Sequence, residues 1–147
     1  MKLEKQVTSL KLSKKLKELG VKQESWFLWE LDDTKEEWVL TDQDKAFYSE
    51  REDRSVSAFT ASELGEMLPS IVRPNRSGRD PLTHHVVGEK GMLTIWLNRT
   101  VDGVRTVGVN YDDDRSDDGF LFPGVFAATM PNALAEMFIY LIENKLV

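Results

Sequence analysis

Residues 91–111 read GMLTIWLNRTVDGVRTVGVNY, and this stretch decides the fold. Leu93, Ile95 and Leu97 alternate with Thr94, Trp96 and Asn98, the period of a strand with one apolar face. Asp102-Gly103 supplies turn chemistry. Val107 and Val109 follow at the spacing that lets a second strand meet the first one's apolar face. An antiparallel hairpin is therefore expected here, and the other elements must pack around it.

A second hairpin is expected upstream. SWFLWEL and WVLTD flank the polar gap DDTKEE, and aromatic and branched residues favour pleated backbone. Along its first strand Trp26, Leu28 and Glu30 share one face, while Phe27, Trp29 and Leu31 share the other. Two largely apolar faces imply cover on both sides or an exposed binding surface. Residues 43–56 read as loop with a short strand at most.

Helices are expected at three places. In TSLKLSKKLKELG, Leu12, Leu16 and Leu19 fall on one helical stripe, with Ser9 placed to cap the start and Gly20 to end it. In SAFTASELGEMLP, Thr60 and Glu63 have capping-box spacing and Pro69 closes the segment. Gly65 weakens that helix unless close packing needs a small residue. In TMPNALAEMFIYLIENKLV, Thr129 is an N-cap candidate and Pro131 suits the first turn. Leu134, Met137, Phe138, Leu141 and Ile142 then form a wide apolar stripe. These elements predict one α+β domain over residues 1–147. Its mainly antiparallel sheet comes from two hairpins and packs with N-terminal and C-terminal helices and a short central helix.

Composition bounds the function. The chain has 147 residues, 41% hydrophobic and 30% charged, so it is globular in type, and the absence of cysteine excludes disulfides and thiolate metal sites. No apolar run approaches a membrane span, and MKLEKQVTSL has no apolar signal core. A cytoplasmic protein is the expectation, which removes any meaning from the glycosylation-like NRT at Asn98. Residues 1–22 carry a balance of +5, which leaves −11 on the rest of a chain whose net charge is −6. An acidic body repels nucleic acid, so DNA binding has to rest on the basic N-terminal helix and its Lys14, Lys15 and Lys17.

The segments 9–29, 57–69 and 132–147 read SLKLSKKLKELGVKQESWFLW, SAFTASELGEMLP and NALAEMFIYLIENKLV. Together they resemble a group of small uncharacterised proteins encoded by phages and prophages. The resemblance covers about a third of the chain. It implies a host-cell cytoplasm and an accessory role exerted by binding, through host factors, gene regulation or defence systems. It transfers no catalytic residue, and residues 71–128 depart from the group's pattern.

The candidate sites follow from residue chemistry. Arg73, Arg76 and Arg79, three apart in a Gly/Pro loop, suit a phosphate or an acidic partner. Trp26 and Trp29 suit an interaction anchor, because tryptophan dominates interface hot spots. Asp114, Ser116 and Asp118 with Gly119 match the opening half of a calcium loop. Val125 stands where the bidentate glutamate is needed, so a charged connector is expected rather than a metal site. His84 and His85 are adjacent and lack metal-ligand spacing, although one beside Asp80 or Asp112 could move a proton. No nucleotide loop or nucleophile elbow is present. The reading is a binding module without catalysis or cofactor, acting on a protein partner or a second copy of itself. The alternatives are a DNA-binding regulator, or a small-molecule, nucleotide- or metal-binding protein or minor enzyme.

Overall fold

The computed structural model describes residues 2–42, 54–72, 78–79, 86–87, 91–101, 104–112 and 124–147. Its helices are α1 (Leu10–Glu18), α2 (Ala61–Met67) and α3 (Met130–Glu143). Its strands are β1 (Phe27–Asp32), β2 (Glu37–Asp42), β3 (Ser55–Ser57), β4 (Ile71–Val72), β5 (Gly78–Arg79), β6 (Val86–Val87), β7 (Gly91–Val101), β8 (Val104–Asp112) and β9 (Val125–Ala127). The class is α+β, and among the described residues every strand pairing is antiparallel.

The two hairpins do not share a sheet. β1 and β2 join β3 in the order β2-β1-β3, and β7 and β8 lie in a second sheet ordered β4-β7-β8-β9. β5 and β6 form a separate pair, so Arg79 sits on a strand opposite Val86 rather than in a loop. The β1–β2 turn is organised by Asp32, whose carboxylate accepts from the Thr34 amide at 2.9 Å and its hydroxyl at 2.6 Å. This is the local side-chain turn that aspartate favours.

In the deciding hairpin Leu93 faces Tyr111 and Ile95 faces Val109, as the alternation requires. The register then slips between Trp96 and Arg99, where β7 carries one residue more than β8. This bulge breaks the regular two-residue pairing of the strands. Val107 instead pairs with Ala127 of β9.

α1 ends as its glycine dictates. Gly20 has φ +81°, its amide bonds the Lys17 carbonyl at 3.0 Å, and the Val21 amide reaches back to Leu16 at 3.0 Å. This is the paired bonding of a Schellman motif, which a residue with a Cβ adopts less easily. Ser9 occupies the N-cap position but its hydroxyl caps nothing. Its amide donates instead to Asn132 Oδ1 at 2.9 Å, which pins the start of α1 to the first turn of α3.

The core is organised around α3. Ala133, Leu134, Ala135, Met137, Ile139 and Leu141 are all buried, a wider band than a single stripe. The reason is that α3 touches α1, α2 and strands β8 and β9, so it is covered on several sides. Leu16, Phe59, Leu64, Leu68, Val72, Val109 and Tyr111 complete the cluster.

The capping box of α2 is present in full: Thr60 Oγ1 accepts from the Glu63 amide, and Glu63 accepts from the Thr60 amide. Gly65 in the same helix has open space where a Cβ would stand. No packing demand therefore requires glycine. Gly65→Ala should raise stability by about 0.5–1 kcal/mol through lower unfolded-state entropy. A denaturant midpoint that does not rise would contradict this.

Candidate functional site

Trp26 immediately precedes β1 and is 72% exposed, the most exposed large apolar side chain among the described residues. Its backbone is nonetheless fixed. The Trp26 amide donates to Glu63 Oε1 at 3.0 Å. On one side of it, Ser25 Oγ donates to the Ala58 carbonyl at 3.0 Å and is 3.2 Å from Glu63 Oε2. On the other, the Phe27 carbonyl accepts from the Ala58 amide at 2.8 Å. The turn before β1 is thus bonded to residues 58–63, while the indole stands in water.

Glu63 is the hub of this mount. Burial pushes its carboxyl up, but hydrogen bonds from the Thr60 amide and hydroxyl, the Trp26 amide and Ser25 outweigh that and hold it below the usual glutamate range. The local sequence explains the arrangement: the glutamate that the capping box needs at the third helical position has a second oxygen left to reach across to β1.

Trp29 plays a different part. It is half-buried, and its indole N–H donates to the Thr8 carbonyl at 2.9 Å. Thr8 is fully buried, its hydroxyl lies 2.7 Å from Ser13 Oγ, and it accepts from the Phe59 amide at 3.0 Å. Trp29 therefore ties β1 to the N-terminal segment, and the two tryptophans do not form one surface. Arg73, Arg76, His84, His85, Asp114, Ser116 and Asp118 lie outside the described residues. Among the described residues no three of His, Asp and Glu converge to hold a metal ion, and no helix is long and apolar enough to cross a membrane.

The basic face of α1 is largely committed within the fold. Lys14 Nζ sits 4.2 Å from the centroid of the Trp38 ring. Lys15 pairs with Glu143 at 2.9 Å, and Lys17 donates to the Ser55 carbonyl at 3.0 Å. Glu143 of α3 stands beside these lysines, so the face does not offer the unbroken positive field that phosphate contacts need.

Sequence reading missed two concave features. A cleft of about 630 Å³ lies between the start of α2, the start of α3 and β1, with Lys5, Phe27, Ser62, Val107, Thr129 and Met130 on its walls. A groove of about 510 Å³ runs between α1 and α3. Thr60, whose hydroxyl bonds the Glu63 carboxylate at 2.7 Å, stands on the wall of the first. No family model, curated protein or solved structure matches this chain.

Proposed function

We propose that the chain is a phage-type accessory protein of the host cytoplasm that works by binding another protein, with Trp26 as the anchor of that contact. The observation that carries this reading is the pairing of a 72% exposed indole with a backbone amide held at 3.0 Å by Glu63. Tryptophan exposed to water gains by burial in a partner's pocket, and a mount already fixed by hydrogen bonds lowers the ordering cost of docking. The resemblance of the two ends and the middle to phage and prophage proteins supports the accessory role and its compartment. Arg73, Arg76 and Arg79 belong to the same reading as contacts for an acidic part of the partner.

The test is affinity capture from host-cell lysate with the wild-type chain and Trp26→Ala in parallel. The substitution should leave the melting temperature nearly unchanged, because the ring has little packing to lose. A protein held by the wild type should bind the variant at least about 30-fold more weakly, as expected for a tryptophan hot spot. Retention of the same proteins by both chains, or specific enrichment by neither, would falsify the reading.

A further inference from the structure

The groove between α1 and α3 has an order that a random charged surface lacks. Ser9 bonds Asn132, Lys11 lies close enough for its charge to act on Glu136, and Lys15 pairs with Glu143. Sequence number rises together on both helices, so α1 and α3 run side by side in the same direction. One wall carries Lys11 and Lys15, the other Glu136 and Glu143, and Leu12 and Ile139 line the space between. Glu18 closes the far end of the α1 wall.

From this placement we infer that the α1–α3 face docks on a second copy of the chain, about a two-fold axis parallel to the two helices. Such an axis sets each α1 over the partner's α3 at the same level. Lys11 then meets the partner's Glu136, and Lys15 meets the partner's Glu143. Each level becomes an alternating square of two cations and two anions. A two-fold across the helices would stack lysine on lysine. A uniformly acidic partner is repelled by the glutamate wall and a uniformly basic one by the lysine wall. A second copy carries both rows in matching register. The footprint is that of helices of 9 and 14 residues. At about 1.5 Å per residue this is smaller than a standard interface, so the dimer is weak, reversible and salt-sensitive.

The experiment is sedimentation of the full chain at low salt, from low to high micromolar concentration. The wild type should show a monomer–dimer equilibrium. Lys11→Glu alone, or Glu136→Lys alone, should weaken it about tenfold or more, because each places like charges together on both sides of the axis. An equimolar mixture of the two variants should recover the wild-type association, since each reversed charge then meets its opposite across the interface. A pairing inside one chain cannot be rescued by mixing. The same exchange at Lys15 and Glu143 repeats the test if a reversal at the half-buried Glu136 impairs folding. A monomer at every concentration, a dimer that neither reversal weakens, or a loss that mixing does not repair overturns the inference. Trp26→Ala should associate like the wild type, so this proposal and the Trp26 reading fail separately.

Discussion

Tyr111→Ala should destabilise the fold by about 3–5 kcal/mol, the range for truncating a large, fully buried aromatic. Tyr111 has no exposed surface and stands on β8 within the central cluster. Its hydroxyl donates to the Pro69 carbonyl at 2.7 Å, which ties the second sheet to the segment just after α2. Tyr111→Phe keeps the ring and should cost only about 1 kcal/mol, the net worth of one hydrogen bond. Denaturant melts of the two variants separate packing from bonding. A cost below about 1 kcal/mol for the alanine variant would remove Tyr111 from the core account.

The same residue fixes a high-pH limit. Burial pushes the Tyr111 phenol up to about 12, above the value near 10 of an exposed tyrosine. Folding therefore favours the protonated form. The resulting stability is fully present below about pH 10 and is lost as pH rises through about 12. Ultraviolet titration should show this tyrosine ionising only as the chain unfolds. Its ionisation near pH 10 in a folded chain would contradict the burial.

Much of this architecture was legible in residue order, for identifiable reasons. Gly20 ends α1 because a left-handed residue is needed there, and Thr60 with Glu63 starts α2 because two free amides need acceptors. These are local rules, and local sequence contains them. The bulge between Trp96 and Arg99 was not legible, because no residue type marks the extra position. A short strand was allowed within 43–56, but β3 has only three residues, Ser55–Ser57, too few for a period to fix its bounds. The nearly all-round burial of α3 also escaped, because alanines at 133 and 135 look neutral until neighbours close over them. For the site, composition singled out tryptophan, and alternation put Trp26 and Trp29 on opposite faces. Which one would stand in water depended on what each face met, and that is tertiary information. The charge order of the α1–α3 groove was equally hidden, since its two rows are more than a hundred positions apart.

Glu63→Ala should cost about 2 kcal/mol and loosen the mount of Trp26. The substitution removes one half of the capping box, worth about 1 kcal/mol, and leaves the Trp26 amide without its carboxylate partner. The carboxylate is partly open to solvent, so the sum is held below the full value of buried charged bonds. Glu63→Gln keeps the shape and should cost about half as much. The sign of the pH effect follows from the lowered pKa of Glu63. A glutamate favoured as the anion in the fold stabilises it above the ordinary value of 4.5, and that contribution is lost as pH falls through its lower folded value. The wild type should therefore lose stability below about pH 4.5 more steeply than Glu63→Gln, which has no carboxylate to protonate there. Amide hydrogen exchange reads the mount directly. The Trp26 amide should gain more exchange in Glu63→Ala than the amides of β1 do. If its protection is unchanged while the helix is weakened, Glu63 is only a cap. Faster exchange at Trp26 together with weaker capture of the wild-type partner would join the hub to function, because the carboxylate that starts α2 would then also hold the anchor in place.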